Sequence, residues 1–405
     1  MKTSDFDYHL PPDRIAQHPA PRRDASRLLS LDRASGVTAH HQFIDLPALL
    51  RPGDLLVVND TRVIPARLFG VVRRDGGAGG VVVGGGGERG AGGSAGGGGW
   101  GEGEQGAGGG GRGAGGSAGG GAVEREVEVL LLREEPAVPP ERIWTALARP
   151  ARALQVGTAI RFTDPAFEGF VIGIGARGVR HIALRPSRRE GGLSFETWLS
   201  RIGHVPLPPY IVRPDEPGDR ERYQTIFARE SGSVAAPTAG LHFTDEVVSA
   251  LRERGVETAS VTLHVGPGTF RPVATEDPRE HVLDPEPYRV PAETASAVRS
   301  TRERKGRVLA VGTTAVRALE SWARAGTPED GAWRETDLFV VPPFEFQVVE
   351  GMITNFHLPR SSLLFLVSAL AGPGDEGRLR ILAAYEEAVR LGYRFYSYGD
   401  AMLIA

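Results

Sequence analysis

The chain has 405 residues and a formal net charge of −3, and its length predicts two or three domains. Of its 55 glycines, 28 fall between Gly76 and Ala122; this glycine tract has no G-X-Y period, which excludes a collagen. The apolar content of 40% excludes general disorder. The absence of cysteine excludes disulfides, thiolate nucleophiles and cysteine-ligated metal centres.

No segment has the features of a membrane anchor or a secretory signal. The longest apolar run, at 363–371, is far shorter than the roughly 20 residues that a spanning helix needs. The first seven residues lack the apolar core of a signal peptide. We therefore expect a cytoplasmic monomer with no membrane partner.

The glycine tract interrupts a series of short β-strands. Strands are predicted on both sides of it, at Arg67–Val72 and Val127–Leu132. Four more are predicted, at Ile143–Ala148, Thr158–Phe162, Gly169–Ile174 and Val179–Leu184. Six closely spaced strands are typical of a small β-barrel or sandwich, and we take the barrel. The tract, predicted to be flexible coil, then lies in a hairpin connection of this unit.

The second half of the chain alternates helices with strands. Helices are predicted at 244–254, from Pro291, and at 314–322, 362–370 and 376–391, and strands at 256–265, 307–311 and 337–341. This alternation indicates an α/β layer with parallel pairing, which the strand at 54–58 would join. The predicted fold class is α/β, with an inserted small antiparallel β-barrel domain. The predicted α/β catalytic domain comprises residues 1–61 and 206–405. The predicted barrel domain comprises residues 62–205 and carries the glycine-rich insertion at 76–122.

Two motif matches have the wrong structural context. Gly173–Gly178 fits the dinucleotide pattern G-x-G-x-x-G, but a predicted strand follows it instead of the helix that would bind a pyrophosphate. G-x-S-x-G occurs twice inside the glycine tract, where no strained strand-to-helix turn is expected. No H-E-x-x-H, EF-hand or Walker sequence is present, so no metal site is predicted.

Polar, glycine-punctuated segments follow several apolar strands. Asn59–Pro65, His264–Phe270 and Gly312–Thr314 each begin where a strand is predicted to end, and Glu230–Ser233 leads to Pro237–Thr244 just before a helix. Ligands of open α/β sheets bind at the carboxyl ends of the strands. The four segments together predict one cleft.

The same segments carry a family resemblance that covers nearly the whole chain outside the glycine tract. The chain resembles the S-adenosylmethionine:tRNA ribosyltransferase-isomerases of queuosine biosynthesis in the following segments: 15–19, 23–29, 59–65, 231–244, 264–273, 311–320, 353–359 and 393–404. It departs from the family at Pro267, where leucine is usual, and at Pro342–Phe344, where the usual sequence is proline-glycine-tyrosine. Neither departure removes an ionisable group.

The resemblance implies a reaction that sets chemical requirements. The ribosyl part of S-adenosylmethionine would be transferred to 7-aminomethyl-7-deazaguanine at the tRNA wobble position, giving epoxyqueuosine, adenine and methionine. S-adenosylmethionine is consumed, so no cofactor is implied. The C5′ proton beside the sulfonium needs a general base with a pKa near neutrality, which suits histidine. Adenine leaves more readily when an acid protonates it, and the methionine carboxylate favours an arginine or a helix N-terminus.

Candidate residues follow from these requirements. We expect His264 or His242 to be the base, with Glu230 or Asp60 as its partner or as the acid. The substrate-binding candidates are the pocket residues Gly312, Thr313 and Thr314, the carboxylate or phosphate ligands Arg62 and Arg317, and the further motif residues Thr238, Asn355 and His357.

Recognition of an anticodon loop requires stacking groups and positive charge. Tyr393, Phe395, Tyr396 and Tyr398 are candidates for base stacking, although aromatic residues that alternate along a strand often belong to the core. Segment 141–213 holds 11 basic and 5 acidic residues, a balance of +6, and is a candidate for binding the tRNA backbone. Two other functions remain open: an S-adenosylmethionine-dependent RNA methyltransferase and a non-catalytic tRNA-binding protein.

Overall fold

The computed structural model describes residues 1–74, 123–187, 193–266, 268 and 273–405. The glycine tract, Arg188, Arg189 and Pro267 lie outside the described residues. The helices of the described part are α1 (Leu46–Leu49), α2 (Phe195–Ile202), α3 (Asp219–Arg222), α4 (Asp245–Glu253), α5 (Ala292–Glu303), α6 (Thr313–Arg324), α7 (Ser362–Ala371) and α8 (Gly374–Arg390).

The strands of this part are β1 (Arg27–Leu31), β2 (Thr38–Gln42), β3 (Leu55–Asn59), β4 (Thr61–Val63), β5 (Arg67–Arg74), β6 (Val123–Glu135), β7 (Arg142–Arg149), β8 (Ala159–Phe162), β9 (Phe167–Ile174), β10 (Arg180–Pro186), β11 (Glu230–Ser233), β12 (Glu257–Leu263), β13 (Glu286–Arg289), β14 (Val308–Val311), β15 (Arg334–Thr336), β16 (Gly351–Asn355) and β17 (Ala401–Ile404). Short 3-10 turns lie between several of them.

A nine-stranded sheet forms the larger layer, in the order β15-β13-β12-β3-β14-β16-β17-β1-β2. Its centre is parallel: β3 pairs with both β12 and β14, and β14 with β16. Every residue of Leu55–Asn59 is buried, as expected for a central parallel strand covered on both faces. The carboxyl ends of β12, β3, β14 and β16 therefore lie along one edge.

The predicted parallel layer is only partly correct, because the outer pairs are mostly antiparallel. β17 runs against β16, β2 against β1, and β13 against both β12 and β15. Apart from β12, these strands are only three to five residues long, so their sequences contain little periodicity. Most of them were not predicted.

The second unit is a closed barrel of six antiparallel strands, in the order β10-β7-β6-β5-β8-β9. Its interior holds alternate residues of each strand, among them Leu68, Val129, Leu131, Ile160 and Ile182. Helix α2 covers one end with Phe195, Trp198 and Leu199. All six predicted barrel strands are present, and the predicted α/β fold class with an antiparallel barrel is confirmed. The domain boundaries stay a prediction.

Local signals correctly located most of the helices and turns. The Thr244 hydroxyl accepts a hydrogen bond from the Val247 N–H at 3.3 Å, which caps α4, and Gly255 follows this helix with φ +76°. The discarded dinucleotide match forms a turn between β9 and β10, in which Arg177 and Gly178 both have positive φ. No phosphate-binding helix follows that turn.

The strand predicted at 337–341 is wrong. The strand β15 ends at Thr336, and the following residues pair with no strand within the described part of the chain. The guanidinium of Arg317 bonds to carbonyl groups here instead: its Nε donates to the Leu338 oxygen at 2.9 Å, and its Nη2 to the oxygen of Thr336, the last residue of β15, at 3.4 Å. Hydrogen bonds from a side chain thus take the place of strand pairing here. The apolar pattern of the sequence cannot predict such bonds.

Candidate functional site between the barrel and the sheet edge

Asn59 connects three of the loops at the carboxyl edge of the sheet. Its amide donates to the Leu263 carbonyl at 3.0 Å and to the Thr314 hydroxyl at 3.1 Å, while its oxygen accepts from the N–H groups of Thr61 and Leu263 at 3.1 Å each. The side chain is buried and makes all four bonds that an asparagine amide offers here. The loops after β3 and β12 and the start of α6 are therefore held in one arrangement.

A cleft of about 810 Å³ lies between this edge and the barrel. The sheet side contributes Ser231, Gly232, His264–Gly266, Gly268 and the segment 283–287, and the barrel side contributes β6, β7, α2 and the turn at 175–179. A concave space between two domains is where small-molecule sites are usually found. It lies at the strand ends, where the sequence places the ligand.

His264 lies in the wall of this cleft and is positioned on two sides. Its Nδ1 is 2.8 Å from the Thr61 hydroxyl, and its ring stacks on Trp333 with centroids 5.0 Å apart. Among the described residues no hydrogen bond is made to Nε2. Burial lowers the pKa of His264 below its ordinary value, an effect that the charge of Glu230 opposes. The ring is therefore neutral near pH 7, as a general base requires.

Gly232 leaves the space that the His264 ring occupies. A Cβ at Gly232 would lie 2.9 Å from Nε2, and the residue has φ +149°, a conformation that strains other residues. We expect Gly232→Ala to displace the ring and to lower turnover about 100-fold, since a misplacement of about 1 Å can cost that much. Steady-state kinetics would measure the effect. Gly218→Ala is the control, because nothing lies within 4 Å of its added Cβ; equal losses in both variants would contradict the prediction.

The two predicted carboxylates differ in position. Glu230, at the start of β11, accepts from Arg289 Nη2 at 3.0 Å and acts on His264 through its charge. Asp60 is buried; its Oδ1 accepts from the Thr262 hydroxyl at 2.7 Å, and burial raises the pKa of its carboxyl. Neither Glu230 nor Asp60 is among the described residues that line the cleft. Of the two, Glu230 is the better placed to act together with His264.

Six of the predicted substrate-binding residues line a second, smaller pocket. This polar pocket, of about 50 Å³, adjoins the cleft at Val265 and contains Gly312, Thr313, Thr314, Thr238, Asn355 and His357. Gly312 precedes α6 with φ +86°, so the first N–H groups of the helix lie at the pocket. The Thr238 hydroxyl donates to the Asn355 oxygen at 2.8 Å. These six residues therefore lie together in a pocket separate from His264, and their role in substrate binding stays a prediction.

His242 lies behind the polar pocket and has a partner on each ring nitrogen. Nδ1 is 2.7 Å from the Ser26 hydroxyl, and Nε2 is 3.1 Å from the Asn355 amide nitrogen. Because the amide donates, the network assigns the proton to Nδ1 and makes Nε2 an acceptor. Burial lowers the pKa of His242 to about 4. We therefore assign His242 to positioning Asn355 and Thr238, and His264 remains as the candidate base.

The other buried histidine, His357, is 2.8 Å from the Thr354 hydroxyl, and burial lowers its pKa to about 3.

This burial predicts a pH dependence of stability. His242 binds a proton near pH 6.5 in the unfolded chain but only near pH 4 in the folded one. Its contribution is therefore complete above pH 6.5 and declines as the pH falls toward 4, because the unfolded state then binds more protons. We expect the free energy of unfolding in urea to fall between pH 7 and pH 4.5, and to fall less in His242→Gln. An identical decline in the variant would contradict the assignment.

The two predicted arginine ligands lie outside the pockets and have protein partners. Arg62 is exposed on β4, and its Nη2 donates to the Ala228 carbonyl at 3.2 Å. Arg317 is buried on α6 and forms an ion pair with the carboxylate of Glu286 in addition to its two carbonyl bonds. Glu286 in turn accepts from the Gly266 N–H at 2.7 Å. Arg317 thus supports the loop after His264 and is not available to bind a substrate anion.

Several residues of the site were missed from the sequence. Trp333, against His264, lies in a segment with no motif, and the wall at 283–287 lies in a stretch with no strand-end pattern. The aromatic residues predicted to stack on bases are instead buried: Tyr393, Phe395, Tyr396 and Tyr398 are all at most 9% exposed. In the described part of the chain, no group of three or more metal-ligating side chains is present, and no helix is long and apolar enough to cross a membrane.

Comparisons with known proteins cover almost the whole chain. A family model described as "Queuosine biosynthesis protein" matches residues 3–84 and 117–404. The S-adenosylmethionine:tRNA ribosyltransferase-isomerase of Citrifermentans bemidjiense is 44% identical over 410 residues, covering 100% of both chains. That of Gloeobacter violaceus is 48% identical over 404 residues, covering 99% of this chain and 95% of the relative.

A solved structure is also similar. The crystal structure of the S-adenosylmethionine tRNA ribosyltransferase from Thermotoga maritima is 34% identical and has a TM-score of 0.48, and the match covers 99% of this chain and 100% of that one. The family match leaves out residues 85–116, which lie inside the glycine tract. On the family match and the full-length relatives, this chain belongs to the queuosine biosynthesis protein family.

Proposed function

We propose that this chain is an S-adenosylmethionine:tRNA ribosyltransferase-isomerase. It transfers the ribosyl moiety of S-adenosylmethionine to 7-aminomethyl-7-deazaguanine at the tRNA wobble position and isomerises it, giving epoxyqueuosine in tRNA and releasing adenine and methionine. The structural observation that carries the proposal is the position of His264, a neutral histidine in the wall of an 810 Å³ cleft at the strand ends. The full-length relatives with that name support it.

His264 is the general base in this proposal. The sulfonium acidifies the adjacent C5′–H of the ribose, and a neutral imidazole with a pKa below its ordinary value can accept that proton near pH 7. Thr61 and Trp333 fix the ring, and Gly232 gives it room. Glu230 lies close enough to stabilise the imidazolium that forms. In this role Glu230 acts as a carboxylate that also pairs with Arg289, so we assign it as the partner of His264 and not as the proton donor to adenine.

The polar pocket binds the methionine part in this proposal. The first N–H groups of α6, at Thr313 and Thr314, and the Thr238 hydroxyl surround it. Backbone N–H groups at a helix N-terminus favour a carboxylate. His242 and Asn355 hold Thr238 in place through their hydrogen bonds. We further propose that the protein acts in the cytoplasm as a monomer and requires no cofactor.

One incubation tests the function. The protein is mixed with S-adenosylmethionine and tRNA that bears 7-aminomethyl-7-deazaguanine, and the released small molecules are identified by mass spectrometry. Adenine and methionine in equal amounts, with epoxyqueuosine in the tRNA, are the expected result. S-adenosylhomocysteine would instead identify a methyltransferase, and no released product would identify a non-catalytic binding protein. Either of those outcomes would overturn the proposal.

A further inference from the structure

The arginines of the barrel segment 141–213 are largely neutralised by carboxylates. Six of its described arginines lie within 4.0 Å of an acidic side chain: Arg142, Arg161, Arg177, Arg185, Arg201 and Arg213. Arg180 is buried and donates to three backbone carbonyls. The formal charge of +6 in this segment therefore overstates the positive charge that it offers to RNA.

Three arginines on the sheet domain have a different environment. Arg23, Arg222 and Arg394, here called the arginine cluster, donate mainly to backbone carbonyls. Arg394 Nη1 donates to the His18 oxygen at 3.3 Å, Arg222 Nη2 to the Ala20 oxygen at 2.7 Å, and Arg23 Nη1 to the Leu241 oxygen at 3.1 Å. These bonds hold the three guanidinium groups around the short loop at residues 18–23. Within the described residues, none of the three has a carboxylate within ion-pair distance.

The acids near the arginine cluster already have other partners. Asp24 pairs with Arg22, Asp400 with Arg27, and Asp219 with Arg213. Arg23 Nη2 donates to the backbone oxygen of Glu221 at 2.9 Å, whereas the Glu221 carboxylate acts on Arg23 through its charge without forming an ion pair. Burial and the neighbouring charge of Arg222 lower the pKa of Arg23, and the charge of Glu221 offsets only part of this effect.

The cluster also contains an unfilled donor beside the candidate site. Arg222 Nε is buried and has no hydrogen-bond partner among the described residues. Arg23 and Arg222 line a small depression whose floor includes His242 and Ser397. His242 bonds to Asn355, and both Asn355 and Ser397 line the polar pocket. The side chains of His242 and Ser397 therefore lie between Arg23 and Arg222 on one side and the polar pocket on the other.

We propose that the arginine cluster binds phosphates of the substrate RNA backbone close to the nucleotide that is modified. A fixed guanidinium without a carboxylate partner binds a phosphate oxygen through charge-assisted hydrogen bonds, and held guanidiniums lose little freedom on binding. The assignment rests on the proposed function for its ligand. The sequence predicted that the barrel contacts the RNA backbone. The proposal places this contact instead at the loop 18–23 and the arginines around it.

The test measures RNA binding as a function of salt. The triple variant Arg23→Gln, Arg222→Gln, Arg394→Gln is compared with Arg73→Gln, Arg161→Gln, Arg185→Gln, which removes the same charge from ion-paired positions of the barrel. The ligand is an anticodon stem-loop RNA, and its dissociation constant is measured from 50 to 300 mM NaCl. Losing three phosphate contacts should reduce the slope of log affinity against log salt by about 2, at about 0.7 per phosphate in single-stranded RNA. The barrel variant should keep the wild-type slope.

A third variant separates charge from folding. In this variant the three arginines of the cluster are replaced by lysine, which loses the guanidinium geometry but keeps the charge. The slope of log affinity against log salt should therefore stay close to that of the wild type. If circular dichroism shows that the glutamine triple is unfolded, the single Arg394→Gln is used, because it loses only one long hydrogen bond; its slope should fall by about 0.7. Unchanged slopes in the glutamine variants of the cluster, or a larger change in the barrel variant, would overturn the proposal. Binding is measured without turnover, so a wild-type protein that binds RNA in this way but releases no adenine would refute only the proposed function.

Discussion

His264→Gln should lower kcat by about 10²- to 10⁴-fold, the usual contribution of a positioned general base. Glutamine can still bond to the Thr61 hydroxyl but cannot accept the C5′ proton. The KM for S-adenosylmethionine should change much less, because the polar pocket stays intact. Adenine release at saturating substrate is the measurement.

The pH profile gives a second readout of the same residue. In the wild type, kcat should fall as the pH drops through the pKa of His264, which lies below its ordinary value, because the protonated ring cannot accept a proton. That acidic limb should be absent in His264→Gln. The control is His41→Gln, a histidine on β2 whose Nε2 lies 3.2 Å from the Ser30 hydroxyl, outside the cleft. A fully active His264→Gln protein with intact folding would show that another group is the base.

Arg317→Met should strongly destabilise the folded protein. It leaves the buried carboxylate of Glu286 without its cationic partner and frees the carbonyls of Thr336 and Leu338. Removing one partner of a buried ion pair typically costs about 3–5 kcal/mol. We expect the urea midpoint to fall accordingly. Turnover should fall as well, because Glu286 also holds the Gly266 N–H in the loop after His264.

A surface ion pair provides the comparison. Arg334 pairs with Asp330 at 2.7 Å, and the carboxylate of that pair is 55% exposed. Arg334→Met should shift the urea midpoint far less than Arg317→Met, because water screens exposed pairs. The double variant Arg317→Met, Glu286→Gln should recover part of the lost stability, since it removes the unpaired buried charge. Equal midpoints for Arg317→Met and Arg334→Met would mean that the buried pair contributes nothing particular.

The strand-end motifs show how far local patterns extend toward the site. The segments at Asn59, His264 and Gly312 follow parallel strands whose carboxyl ends share an edge, so their proximity could be predicted from the alternation of helices and strands. The roles of the individual residues at that edge could not be predicted in this way. His242 and His264 have similar sequence settings, yet one has both nitrogens bonded inside the protein and the other lies in the cleft wall. Distant partners, Ser26 and Asn355, make that difference.

The formal charge of a sequence segment is likewise a poor guide to where positive charge is available on the folded surface. Segment 141–213 is basic by sequence, but Glu134, Glu124 and Asp284, which lie outside that range, neutralise Arg142, Arg161 and Arg177 in the structure. A formal charge counts residues along the chain, whereas the field at a surface depends on which side chains lie next to each other. The arginine cluster draws its members from three distant parts of the sequence, so no window along the chain reveals it.

The sequence by itself determined the family, the α/β class, the six barrel strands and the set of segments that form the sheet edge. These depend on hydrophobic periodicity, turn residues and motifs, which are local properties of the chain. Only the tertiary structure decided which histidine lines the cleft, that Arg317 supports a loop, and where uncompensated positive charge lies. Each of these depends on burial and on contacts between residues far apart in sequence, which set protonation, hydrogen bonding and field only after the chain has folded.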